Sequence, residues 1–169
     1  EAVIEYRNAL QLDPRFADAW ARLAEACILM GSTYEPGPRW LQRAELAIRK
    51  ALAADPRSAE AQCARGRVLW TPVKKFQNSA AMRALRDALR LQPGLQQALM
   101  WKGAIEFHIG LLEESRQSLT GALAANPDDA FTLVFIGQAA IYQGAYDEAE
   151  EYIGRTMALD PANLWANLL

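Results

Sequence analysis

Five related phrases, "ALQLDP", "ALAADP", "ALRLQP", "ALAANP" and "MALDP", end at Pro14, Pro56, Pro93, Pro127 and Pro161 of this 169-residue chain. The prolines stand 42, 37, 34 and 34 residues apart. Proline lacks the N–H that a helix interior needs and fixes its own φ, so each phrase closes a helix and opens a turn. Self-similarity at such a period means one supersecondary unit copied along the chain, each copy burying its apolar face on the next. Alanine and leucine dominate while β-branched residues are sparse, which favours helix in every copy. The pattern predicts a leading helix over 1–11, then pairs at 15–30/39–53, 58–71/77–91, 95–109/112–125 and 129–143/146–158, and a partial helix from 162. The corresponding units are 1–14 (partial), 15–56, 57–93, 94–127, 128–161 and 162–169 (partial), in a single array spanning 1–169.

Aligned on these prolines, side chains fall into fixed slots. Trp20, Leu23, Ala24 and Cys27 fill four slots of the first complete unit. Gly66, Gly103 and Gly137 fill one slot in the next three, where a missing side chain lets two backbones approach. The second helices pair Ala2 with Tyr6, Ala44 with Ile48, Ala81 with Leu85, Ser115 with Leu119 and Ala149 with Ile153. A small residue follows each pair: Ala9, Ala51, Ala88, Ala122 and Thr156. Gly110 and Gly144 stand where first helices should end. This pattern resembles the tetratricopeptide repeat, a helix–turn–helix of about 34 residues with W-x2-L-G-x2-Y in its first helix and A-x3-F, then P, in its second. The resemblance covers essentially the whole chain. It implies an all-α fold, a right-handed α-α superhelix (solenoid) of antiparallel helix pairs with a concave inner surface.

Two units run long, by eight residues around "GSTYEPGPRW" and by three around "WTPVKKFQN". Pro36, Gly37 and Pro38 forbid continuous helix there, and Pro72 ends the helix that carries Trp70. The inserts 31–40 and 70–78 are either binding loops or longer connections that pack Tyr34 and Trp40 on neighbours. These lengths, with "WTPVKKF" and "FHIGLLEES", are also similar to tetratricopeptide regions of bacterial multidomain signalling proteins linked to a kinase, a cyclase or a winged-helix domain. That likeness implies a sensory or scaffolding region. The chain opens on "EAVIEYRNAL" and stops on "NLWANLL", both in mid-pattern, and reads as a piece of a longer protein.

Little in the sequence supplies chemistry. A net charge of −2 argues against a general attraction to nucleic acid or to an anionic membrane. No apolar run approaches the roughly 20 residues that span a bilayer. Cys27 and Cys63 do not form a disulfide framework; they read as small buried hydrophobes in a cytoplasmic, reducing setting. His108 is the only histidine. It takes the thirteenth position of its helix and Cys63 the fifth, so parallel first helices place them about 12 Å apart along the axis. Hydrogen-bond reach is about 3 Å, and a Cys–His nucleophile fails. Zinc needs about four converging ligands, which these residues cannot supply. There is no phosphate loop or nucleophile elbow. The acids of "EES" and "DEAEE" suit helix N-termini. The expectation is no enzyme, no metal and no cofactor. Lys74, Lys75, Arg83, Arg86 and Arg90 gather with Asp87 alone opposing them, and without interleaved aromatics they read as a solvated face.

In the family resembled, the second, fifth, sixth, ninth, twelfth and thirteenth positions of each first helix line the inner surface. These fall on one side of a helix. The first unit then offers Asp18, Ala21, Arg22, Glu25, Ile28 and Leu29, and the second Glu60, Cys63, Ala64, Arg67, Trp70 and Thr71. The third offers Gln97, Met100, Trp101, Ala104, Phe107 and His108, and the fourth Phe131, Val134, Phe135, Gln138, Ile141 and Tyr142. Trp165, Leu168 and Leu169 belong to a partial fifth. The surface passes from mixed charge to aromatic. No lysine occupies these slots, so the carboxylate clamp of chaperone-binding relatives is not expected. The candidate partner-binding residues are Cys63, Arg67, Trp70, Met100, Trp101, Phe107, His108, Phe131, Val134, Phe135, Gln138, Ile141 and Tyr142. Such a stripe receives an apolar peptide or amphipathic helix, or is covered by a flanking segment or a second copy in a homo-oligomer, or is simply core. Leu99, Lys102, Gly103 and Glu106 should face the unit's own second helix. Two charges there depart from the pattern and imply a slight rotation of that helix.

Overall fold

The computed structural model describes residues 2–163 and 166–168, and among these it contains helix and turn but no strand. Its α-helices are α1 (Ala2–Leu12), α2 (Ala17–Leu29), α3 (Pro38–Ala54), α4 (Ala59–Leu69), α5 (Asn78–Leu91), α6 (Gln96–His108), α7 (Leu112–Ala125), α8 (Ala130–Tyr142) and α9 (Tyr146–Leu159). A π-helical turn, Met30–Tyr34, extends α2, and short 3-10 turns occur at Pro72–Lys74 and Ala166–Leu168. The ends of α1–α9 lie within two residues of their expected places, whereas at the start of the partial helix expected from 162 the described residues 161–163 form a turn. Trp165 and Leu169 lie outside the described residues.

The repeated prolines owe their place to one turn. The Asp13 and Asp55 carbonyls accept the N–H groups of Phe16 and Ser58, both at 3.2 Å. Their carboxylates accept from the N–H groups of Arg15 at 2.9 Å and Arg57 at 2.8 Å. Aspartate at the first position and proline at the second suit this reversal, since the acid bonds locally and the ring presets φ. The next helix is then capped from its own side chains. Ser58 Oγ accepts the Ala61 N–H at 3.1 Å, and Asp129 Oδ2 accepts the Thr132 N–H at 2.9 Å. Each cap satisfies a donor that the first turn would leave bare. At the other end of α6, Gly110 sits at φ 83°, the Leu111 N–H bonds the Glu106 carbonyl at 2.9 Å, and the Gly110 N–H bonds that of Phe107 at 3.1 Å. Glycine adopts this left-handed closure without strain, and Gly144 repeats it after α8 at φ 75°.

Contacts divide the chain into two compact units, Glu1–Pro93 and Gly94–Leu169. In the first, α2 packs on α3 around Leu23, Cys27, Ile28, Leu41 and Ile48, and α4 packs on α5. In the second, α6 packs on α7 and α8 on α9, with Ile105, Leu119, Leu133 and Ile136 sealed from solvent. The glycine slot sets these distances. A Cβ on Gly66 would stand 2.7 Å from Leu85 Cγ, and one on Gly103 2.6 Å from Leu119 Cγ. Glycine and the large residue of the facing second helix are therefore one packing device, repeated in both units.

One expectation from the sequence is overturned, and the insert 31–40 divides between its two readings. Helix α6 is not rotated: Lys102, Gly103 and Glu106 all reach α7. Lys102 Nζ donates to Glu106 Oε1 at 2.6 Å and to Ser118 Oγ at 2.7 Å, and Ser118 Oγ donates to Glu106 Oε2 at 2.7 Å. The two charges satisfy each other inside the hairpin. In the first insert, Met30–Tyr34 stays helical as a π turn, closed by the Glu35 N–H on the Met30 carbonyl at 2.8 Å. Tyr34 is 68% exposed and packs on nothing central, whereas Trp40 rests on the core with its indole N–H on Glu35 Oε2 at 2.6 Å.

Candidate partner-binding face

Helices α6 and α8 are the first helices of consecutive pairs and lie against each other. On α8, Phe131, Phe135, Gln138 and Tyr142 are spaced so that a 3.6-residue period stacks them on one side. On α6, Trp101 and His108 lie two turns apart, with Phe107 beside them. The rings meet across the helices. Trp101 stands 5.2 Å from Phe131, and Phe131 4.9 Å from Phe135. Phe107 stands edge-on to Phe135 at 5.8 Å and to Tyr142 at 5.5 Å. His108 joins Phe107 at 5.7 Å and Phe135 at 6.2 Å. Tilted and edge-on pairs at such spacing add about 0.5–1.5 kcal/mol each beyond burial. The six side chains form one connected wall. Trp101, Phe107, Phe131 and Phe135 are half-buried, His108 is exposed, and Tyr142 is 74% exposed.

The remaining candidates fall elsewhere. Met100 and Val134 are buried and present no surface to a partner. Gln138 and Ile141 are half-buried. Cys63, Arg67 and Trp70 belong to the first unit. Cys63 is 1% exposed, and burial, reinforced by the Glu25 carboxylate, pushes its thiol far above the usual thiol range against the pull of Arg67. It is inert filling. Arg67 pairs with Glu25, and Trp70 meets the edge of Phe76 at 5.9 Å. A helical slot fixes direction only to the nearest third of a turn, so neighbouring side chains decide which slots stay open.

Several relationships had no sequence signal. Lys74 pairs with Glu45 of α3 at 2.6 Å, so the basic cluster is more neutralised than Asp87, the one acid of its own segment, suggests. Phe76 and Lys75 adopt left-handed φ of 48° and 55°, held by the Phe76 N–H on the Thr71 carbonyl and the Gln77 N–H on the Leu69 carbonyl, both at 3.1 Å. A cavity bounded by α1, α2 and α3 was also not foreseen; its one hint was the insert that ends in Trp40. Among the described residues no three His, Cys, Asp or Glu side chains converge on a metal position, and no helix is long and apolar enough to cross a membrane.

This architecture defines a helical-repeat protein, built of antiparallel helix pairs that stack first helix on first helix. Residues 77–130 match the tetratricopeptide repeat family, and that segment carries the α5–α6–α7 core of the pattern. Solved structures similar to this chain include tetratricopeptide-repeat proteins. TTC0263, a thermophilic protein of this type from Thermus thermophilus, superposes with a TM-score of 0.76 at 18% identity over 98% of this chain and 85% of its own. PilF of Pseudomonas aeruginosa gives 0.70 at 23% identity over 98% and 70%. YrrB, described as a tetratricopeptide-repeat protein with an unusual peptide-binding site, gives 0.63 at 21% identity over 98% and 80%. At these identities the likeness establishes the fold. No curated protein sequence matches the chain. Tetratricopeptide-repeat proteins typically mediate protein–protein interaction.

Proposed function

We propose that the chain is a non-enzymatic interaction scaffold and that the α6–α8 wall receives an apolar peptide or an amphipathic helix. The observation that carries this reading is the connected row Trp101–Phe131–Phe135–Phe107–Tyr142, partly open to solvent. Such half-buried rings in a row can receive the i, i+3, i+4, i+7 apolar anchors of a helix laid in a groove. The peptide-binding description of YrrB supports a ligand of peptide size. The free, buried thiols and the loop lengths support placing the scaffold in a cytoplasmic regulatory region of a larger bacterial signalling protein.

The test uses a displayed library of amphipathic peptides selected on the wild-type chain. Truncating central aromatic anchors costs about 2 kcal/mol or more, so Trp101→Ala with Phe135→Ala should weaken the selected peptides by about thirtyfold. Undiminished binding to a folded double variant refutes the assignment. A second reading, self-association, is favoured by the exposed apolar side chains Met157, Leu159 and Leu168. Light scattering decides it: a strict monomer at high concentration excludes it.

A further inference from the structure

We propose that the first unit holds a separate small-molecule site, in the cavity between α1, α2 and α3, for an amphiphilic anion: a carboxylate on an alkyl or aryl body. The cavity has a volume of about 390 Å³. Small-ligand pockets run from about 300 to 1,000 Å³ and combine apolar walls with a few placed polar groups. This one has both parts. Val3, Leu10, Leu23, Trp20 and Trp40 form its apolar walls. The indole donors are already engaged, Trp20 Nε1 on the Pro14 carbonyl at 2.9 Å and Trp40 Nε1 on Glu35 Oε2 at 2.6 Å. Both rings therefore present hydrocarbon to the cavity and ask nothing polar of its occupant.

The polar end is cationic. Arg7 from α1 and Arg43 from α3 line the same cavity and are both exposed, and among the described residues no Asp or Glu lines it. Arg43 lies over the Trp40 ring at 4.6 Å. Stacking engages the face of a guanidinium and leaves its in-plane donors for a carboxylate. Cys27, at the buried end, does not oppose an anion: burial keeps its thiol neutral, as the raised affinity for its proton shows. Apolar walls and two guanidinium groups, with the nearby Glu35 carboxylate already held by the Trp40 indole N–H, select an anion with a hydrophobic body over a neutral or cationic one.

Isothermal titration of the whole chain tests this, using decanoate below its micelle concentration, decanol and decyltrimethylammonium, with benzoate and 2-naphthoate as the aryl arm. Decanoate or naphthoate should bind at one site per chain, at least tenfold more tightly than decanol and the ammonium. Arg7→Gln with Arg43→Gln alters only exposed side chains, and should weaken the anion at least tenfold while leaving decanol unchanged. Trp101→Ala with Phe135→Ala should leave the anion's affinity intact, which separates this site from the α6–α8 wall. Equal binding of anion, alcohol and ammonium overturns the proposal. So does an affinity unchanged by the arginine substitutions, lost with the second unit's aromatic pair, or absent for every carboxylate.

Discussion

Removing Lys102 should destabilise the second unit more than removing Glu106, although the two form a single ion pair. The Glu106 side chain is 4% exposed and the Lys102 side chain 22%. In Lys102→Met the carboxylate stays buried and keeps the Ser118 hydroxyl as its donor. Breaking a buried pair from one side costs about 3–5 kcal/mol. The partial exposure of Lys102 lets water replace some of what is lost, which brings the expected cost to about 2–3 kcal/mol. In Glu106→Leu the ammonium left behind extends along its stem to water, and Ser118 loses one acceptor, for about 1 kcal/mol. The double variant Lys102→Met, Glu106→Leu replaces the pair by hydrocarbon and should return close to the wild type. Urea unfolding followed by far- and near-ultraviolet circular dichroism measures all three, with coincident transitions as the check on a two-state treatment. If Glu106→Leu costs more than Lys102→Met, or if the double variant shows the sum of the singles, the hairpin is not organised around a buried carboxylate.

Gly103→Ala places a Cβ 2.6 Å from Leu119 Cγ and 3.2 Å from the Ser115 carbonyl oxygen, and Leu119 is fully buried, so the variant should lose about 1–3 kcal/mol in the same unfolding assay. Gly154→Ala, in α9 with no atom within 4 Å, should instead gain about 0.5–1 kcal/mol, and equal effects at the two glycines would refute the packing argument. Above about pH 8.5 the unfolded chain ionises Cys63 while burial holds the folded thiol neutral, so the unfolded state binds fewer protons and stability falls as pH rises, by up to about 1.4 kcal/mol per pH unit. Cys63→Ala should flatten that slope between about pH 8.5 and 9.5, and a slope unchanged by the substitution would place its origin elsewhere.

The features legible in the sequence are those decided within a few residues of the chain. Asp13-Pro14 and Asp55-Pro56 make the same turn because the acid and the ring act on their own backbone. Gly110 and Gly144 end helices because their own φ requires it. Glycine slots paired with Leu85, Leu119 and Ile153 were readable because the repeat presents the same contact several times. What escaped depends on groups distant in the chain. Lys102 and Glu106 look misplaced until Ser118, on the facing helix, completes their triangle. The π turn at Met30–Tyr34 contains no local signal that distinguishes it from a loop, and Glu45 reaches Lys74 from another helix.

The same division explains why the candidate face was read in outline and not in detail. A slot alignment put Met100, Trp101, Val134 and Phe135 on one side, but two of these are buried and two half-exposed. The difference lies in size and in neighbours: the rings of Trp101 and Phe135 reach rings of the adjacent helix and stay partly open, while Met100 and Val134 are buried. This matters for the proposed role. Rings that already touch across α6 and α8 at 5.2–5.8 Å are held by one another in the unbound protein. Immobilising a rotamer-rich side chain on binding costs about 0.5–1.5 kcal/mol, and a pre-formed aromatic wall avoids much of that cost. Replacing Phe135 by leucine would keep an apolar contact but remove three of the ring contacts that hold the wall, those to Phe107, His108 and Phe131. Peptides selected on the wild type should therefore lose affinity to this variant through lost order in the unbound wall, with the calorimetric entropy of binding becoming less favourable. A loss carried wholly by enthalpy would show that Phe135 acts only by direct contact.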